Sequence, residues 1–198
     1  MTKREYDLIV VGAWPAGSSA AYAAAKNGIK VALLEKEENV AQTVRTSGVT
    51  WIDYAKEFGI PEDCYNPIRT YNFCSPNNTV SITDNKPKAA VLDVRKTYRF
   101  LADMAKKNGA EIFVNTNVTN VITENGSIVG VKASSSNSEM IFHARMLIDA
   151  SGFQSAVSKS LGLVKQWERF GVGAEYEAEV ENVRSEEHTS ELQSRAYL

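Results

Sequence analysis

The residue pattern best suited to chemistry lies near the start of the chain, in the run VVGAWPAG at positions 10–17. There Gly12 and Gly17 enclose Ala13, Trp14, Pro15 and Ala16. Glycines so placed, after an apolar strand and before a helix, form a cradle for a pyrophosphate. Gly12 would make the tight turn out of the strand, and Gly17 would let the helix pack closely on the sheet. The helix N-terminus would then aim its open N–H groups and positive dipole end at the phosphates. Pro15 suits the first turn, where a missing N–H costs nothing. Glu35 closes the next apolar run, and a strand-end carboxylate can accept hydrogen bonds from a ribose diol. The competing reading is a plain βαβ unit without a ligand.

Trp14 departs from this pattern. The middle position ordinarily holds glycine, so that the backbone can approach the pyrophosphate. An indole there either blocks the site or swings aside. Three explanations stand open: the nucleotide has been lost, the loop turns the side chain outward, or the tryptophan is an error, since one base change converts the glycine codon GGG into TGG. The last is preferred. The expectation is that Trp14 weakens nucleotide binding and that Trp14→Gly strengthens it.

A second run, MLIDASGFQSAV at positions 146–157, places Asp149 near the end of another apolar strand and Gly152 just after it. Its competing reading is a strand-to-helix turn in which the aspartate is only a cap. Other candidates carry less. Cys64 and Cys74 are too few for a disulfide framework and lack the paired spacing of a zinc or dithiol site. His143 and His188 complete no metal or nucleophile constellation. Trp51 and Tyr54 could line a pocket or fill a core.

These residues need elements to hold them. Residues 7–11 and 30–34 read as buried parallel strands, with an alanine-rich helix over 18–27 between them. Residues 40–48 read as a loop, 49–58 as a short helix, and 62–78 as irregular with some strand character. Short strands follow at 79–83 and 89–92. Asp93 caps a helix to about position 108, with Val94, Tyr98, Leu101, Ala102 and Ala105 on one face. Beyond a strand at 111–114, strands over 118–123 and 127–133 flank Asn125-Gly126, a strong hairpin signal. Strands at 140–144 and 146–150 complete the order. The fold class is therefore α/β, a doubly wound Rossmann-like domain with a small antiparallel crossover sheet.

Bulk properties narrow the function. Net charge is −2, from 22 basic and 24 acidic residues, so no basic excess points to nucleic acid. The first residues form no secretory signal and the apolar stretches are strand-sized, so the cytoplasm is the expected location.

With these motifs in place, the chain resembles the geranylgeranyl reductase family of FAD-dependent oxidoreductases, within the hydroxybenzoate hydroxylase-like flavoproteins. The likeness covers residues 6 to about 180. It rests on the first motif, on Glu35 followed by Lys36, and on the Asp149 and Gly152 turn, where Ser151 replaces the family's second aspartate. The resemblance implies FAD as cofactor and further contacts to it. These are the loop Thr46, Ser47, Gly48 and Val49, with no cysteine for a redox role, then Arg95 opening the long helix, and Val118 at the strand facing the adenine. It implies reduction of carbon–carbon double bonds in a geranylgeranyl or related prenyl lipid. The electron donor would be NAD(P)H or ferredoxin, and peripheral membrane contact could accompany the lipid. It also assigns residues 70–92 and 171–180 to part of a substrate-domain sheet, and leaves the catalytic residues unassigned. A flavin monooxygenase or halogenase on the same fold is the alternative enzyme, although the halogenase motif Trp-x-Trp-x-Ile-Pro is absent. A non-enzymatic fragment is the alternative of a different class. The run RSEEHTSELQS at 184–194 is similar to a translated sequencing-library adapter. The expectation is thus an FAD-binding domain over 1–183 and a non-native tail over 184–198.

Overall fold

The computed structural model describes residues 3–136 and 138–164. In chain order the elements begin with β1 (Lys3–Val11), α1 (Pro15–Lys26) and β2 (Val31–Leu34). Next come β3 (Val49–Trp51), α2 (Ile52–Glu57), β4 (Tyr65–Ile68), β5 (Thr70–Cys74), β6 (Thr79–Thr83) and β7 (Ala89–Leu92). The last are α3 (Val94–Lys107), β8 (Glu111–Phe113), β9 (Asn117–Glu124), β10 (Ser127–Ser135), β11 (Ser138–Asp149) and α4 (Ala156–Ser160). The described residues fall into two compact units, one of residues 3–44 and 95–164, the other of residues 45–94.

The first unit is α/β, as expected. Its six-stranded sheet has the order β8-β2-β1-β11-β10-β9. The first four strands are parallel and the last two antiparallel. Apolar residues in β1 and β2 run without a polar break because both faces are covered. Leu8, Val10, Val31 and Leu33 pack in one core with Ala21 and Ala25 of α1 and Ala105 of α3. Ile9, Val11, Ala32 and Leu34 pack on the opposite face with Phe142 and with Val157 of α4. Side chains alternate across a strand, so both sets must be apolar. Asn125 and Gly126 both have positive φ, 51° and 78°, as a two-residue hairpin turn requires.

In the second unit, β7 lies between β3 and β4, while β5 and β6 form a separate two-stranded sheet. Residues 70–92 are thus divided between two sheets rather than sharing one.

Several boundaries differ from expectation for local reasons. Residues 49–51 are not helical: they pair with β7 from Val49 opposite Val91 to Trp51 opposite Ala89, and the helix starts only at Ile52. The region 62–78, expected to be irregular, holds β4 and β5. α1 begins at Pro15 instead of position 18, because proline's fixed φ already suits the first helical residue. The strands expected at 140–144 and 146–150 are one, β11. The charge of Arg145 interrupts the apolar pattern, but pairing with β1 continues from Ala144 to Met146. The antiparallel strands consequently extend the parallel sheet and do not form a sheet of their own. The expectations for 171–180 and for the tail 184–198 lie outside the described residues.

Candidate functional site

The first motif, Glu35 and the Asp149 turn meet at the carboxyl ends of three adjacent strands. β1 lies between β2 and β11, and the backbone ties the three ends together. Gly12 N–H donates to the Leu34 carbonyl at 2.8 Å, and Ala150 N–H donates to the Val11 carbonyl at 2.8 Å. In open α/β sheets this edge is where ligands bind.

Both glycines are required by close backbone approach. Gly12 has φ +100°, and a Cβ there would stand 2.4 Å from the Ala150 carbonyl oxygen. A Cβ on Gly17 would stand 1.8 Å from the Gly12 carbonyl oxygen and 3.2 Å from the Ala150 Cβ. The loop between them is drawn inward by hydrogen bonds. The Ala13 N–H donates to Glu35 Oε2 at 2.8 Å, and the Ser18 hydroxyl donates to the Ala13 carbonyl at 2.9 Å. Ala13 and Ser18 are fully buried. Pro15 is at the start of α1, no side chain caps that helix, and its first turn holds no acidic residue. Ala16 is exposed. Trp14 precedes the helix in extended backbone, φ −82° and ψ −179°, so the position does not need glycine's conformational freedom. Its ring lies 5.8 Å from that of Tyr98 at an interplanar angle of 49°.

Glu35 is 3% exposed and belongs to this loop. Beyond its bond from Ala13, its Oε1 accepts from the Glu37 N–H at 3.0 Å. A carboxylate offers about four acceptor positions, so acceptor capacity remains for ribose hydroxyls. Lys36 is exposed and its Nζ donates to Gln154 Oε1 at 2.8 Å, which joins the end of β2 to the turn after β11.

Asp149 braces that turn. Its Oδ1 accepts from the Ser151 hydroxyl at 2.6 Å and the Ser151 N–H at 3.2 Å. Its Oδ2 accepts from the Ser158 N–H at 2.8 Å and the Ser158 hydroxyl at 2.7 Å. Burial pushes the Asp149 carboxyl upward, but the bonds from Ser151 and Ser158 together outweigh it and hold the group below the ordinary value of 3.8. A depressed folded-state value means that Asp149 adds stability above the unfolded value, lost as pH falls through the folded one. Asp149→Asn is expected to cost about 2 kcal/mol at neutral pH, the scale of a hydrogen bond to a charged group. It should also flatten the stability loss below about pH 4. Urea unfolding at several acidic pH values checks both, and parallel pH profiles for parent and variant would refute the role. Gly152 has φ +68°, and a Cβ there would meet nothing within 4 Å, so its need is purely conformational.

The other expected residues are placed as follows. Thr46, Ser47, Gly48 and Val49 belong to the second unit. There Gly48 is buried, and a Cβ on it would stand 2.8 Å from the Leu92 carbonyl oxygen. Thr46 Oγ1 accepts from the Gly48 N–H at 3.4 Å, while Ser47 and Val49 are exposed. Arg95 is exposed in the first turn of α3. Val118 is half-buried, opposite Ala133 on β9, which ends the sheet among the described residues. Trp51 and Tyr54 are exposed, 59% and 55%, and so are not core. No group of histidine, cysteine, aspartate and glutamate among the described residues could hold a metal. The sequence reading overlooked Ser18, Tyr98, Ser151 and Ser158 as supports. Ser18 had a signal, a hydroxyl immediately after the helix glycine; Tyr98 had none, because its partner is distant in the chain.

These residues fit the FAD pyrophosphate and ribose. Two glycines leave no side chain where the backbones converge, the helix end carries no competing carboxylate, and a buried strand-end carboxylate flanks it.

The FAD dependent oxidoreductase family matches residues 7–158. The digeranylgeranylglycerophospholipid reductase of Methanocella arvoryzae is 34% identical over 81% of this chain and 43% of its own length. That of Methanocaldococcus jannaschii is 33% identical over 80% and 41%. The chain thus spans less than half the length of these relatives. A geranylgeranyl bacteriochlorophyll reductase-like structure from Thermoplasma acidophilum superposes with a TM-score of 0.74, at 30% identity, over 82% of this chain and 43% of the other. A myxobacterial halogenase, at 22% identity and a TM-score of 0.65, shares the fold alone. The cofactor is FAD, and the chain belongs to the FAD-dependent oxidoreductase family of enzymes.

Proposed function

We propose that the protein is a flavin-dependent reductase of carbon–carbon double bonds in a geranylgeranyl or related prenyl lipid, and that this chain supplies the nucleotide-binding part. The observation that carries the reading is the glycine cradle with its buried carboxylate, in a chain 34% identical to a digeranylgeranylglycerophospholipid reductase. Bound FAD, once reduced, supplies a hydride for one carbon of the double bond, and a proton completes the saturation of the other. The loop of Gly12 to Gly17 and the start of α1 hold the pyrophosphate, and Glu35 takes the ribose. The Asp149 turn would keep Gly152 beside the phosphates, while Arg95 and Val118 would add contacts to the nucleotide. The reducing partner is NAD(P)H or ferredoxin. Because a prenyl lipid resides in a bilayer, the protein would work at a membrane surface; no helix among the described residues is long and apolar enough to cross one.

The test uses the protein extended to the length of its relatives and loaded with FAD. After anaerobic reduction, an unsaturated prenyl glycerolipid should reoxidise the flavin and emerge with two more hydrogens per double bond. Flavin that ignores the lipid, yet is reoxidised by oxygen with hydroxylation or halogenation of another substrate, would favour the monooxygenase class instead.

A further inference from the structure

Trp14 occupies the position where a side chain most threatens the pyrophosphate. Its backbone is relaxed, so nothing in the loop's conformation excludes an indole. The danger lies only in where the ring goes. It has two courses: across the first turn of α1, over the N–H groups a phosphate would use, or back against a neighbour.

The ring takes the second course, lying against Tyr98 at a centroid distance of 5.8 Å. A tilted aromatic pair at this distance is attractive beyond the area it buries. Tyr98 is well placed to hold it. It is half-buried on α3, on the face of Leu101, Ala102 and Ala105, and Ala105 is fixed in the core shared with α1. Burial also raises the Tyr98 hydroxyl above its ordinary value.

We infer that Tyr98 is a positioning residue for FAD: by seating the Trp14 indole against α3, it keeps the start of α1 open to the pyrophosphate. Trp14 is then compatible with the cofactor and makes the site depend on its aromatic partner. This rests on the FAD reading above. It replaces the expectation that Trp14→Gly strengthens binding with a conditional one, in which removing the indole matters only once Tyr98 is gone.

The experiment uses the full chain with Trp51→Phe and Trp167→Phe, which leaves Trp14 as the sole tryptophan. Without flavin, Tyr98→Ala should increase acrylamide quenching of Trp14 emission by roughly twofold or more, since the ring loses its seat. Flavin fluorescence then follows FAD titration. Tyr98→Ala should weaken FAD about tenfold, equivalent to ~1.4 kcal/mol and within the coupling range of residues in contact. Trp14→Gly alone should change affinity by less than about threefold, and added to Tyr98→Ala it should restore binding. The inference is overturned by unchanged quenching in Tyr98→Ala, by a Tyr98→Ala loss that Trp14→Gly does not rescue, or by a tenfold gain from Trp14→Gly alone. A parent chain whose Trp14 responds as expected but which takes up no FAD overturns the FAD reading, and with it the ligand named here. Unchanged quenching beside normal FAD uptake overturns only the role of Tyr98.

Discussion

Gly17→Ala is expected to destabilise the first unit by about 3 kcal/mol, the upper range for forcing an extra group into a packed site, and to abolish FAD retention. The added Cβ would lie 1.8 Å from the Gly12 carbonyl oxygen. That atom is backbone and cannot rotate away as a flexible side chain would. Relief requires the loop to open, which moves Ala13 from Glu35 and separates the start of α1 from the strand ends. Gly17 has no positive φ, so this effect is steric alone. Gly28 supplies the opposite control. It has φ +79° and nothing within 4 Å of a Cβ, so Gly28→Ala meets only conformational strain, about 1–2 kcal/mol, and should leave FAD uptake unchanged. Urea midpoints at constant slope measure both. A Gly17→Ala chain as stable as the parent would show that helix and loop do not approach this closely.

The contrast between these glycines explains what the sequence could reveal. Gly12 and Gly17 were legible because a tight strand-to-helix turn excludes side chains at fixed local spacing, and Glu35 because it follows the next apolar run directly. The strands 7–11 and 30–34 were legible because burial on both faces erases polar alternation. Where pairing is made over long distances, the local signal fails. Residues 49–51 are a strand because β7 stands opposite them, and β11 is unbroken because β1 continues alongside Arg145. For the same reason the supports of the site were hidden. Nothing near Trp14 in the chain announces Tyr98, and nothing at Asp149 announces Ser158. Asp149 also shows that a motif residue can be read correctly in position and still owe its placement to the turn it braces.

Glu35→Ala is expected to act twice, costing the flavin-free chain about 3 kcal/mol and weakening FAD by tenfold or more, on the basis that each hydrogen bond to a charged group contributes roughly 1.5–3 kcal/mol. The first effect follows from bonds present before any ligand arrives. The buried carboxylate accepts the Ala13 N–H at 2.8 Å and the Glu37 N–H at 3.0 Å. Ala13 is fully buried, so alanine at position 35 leaves its N–H without water to replace the lost acceptor. The backbone of Glu35 is fixed independently, since its N–H donates to the Phe113 carbonyl at 2.8 Å and its carbonyl accepts the Thr116 N–H at 2.7 Å. The variant should therefore keep the strand while the glycine loop loosens. Glu35→Gln separates the two roles. Its single amide oxygen can keep one N–H bond, but its NH2 group then faces the other donor, so part of the loop stability is lost. Its amide can still bond to ribose hydroxyls. Unfolding without flavin, set beside FAD titration for both variants, gives the result. Full flavin-free stability in Glu35→Ala would mean that the carboxylate serves the ribose alone. Loss of stability with unaltered FAD affinity would mean that it serves only the loop.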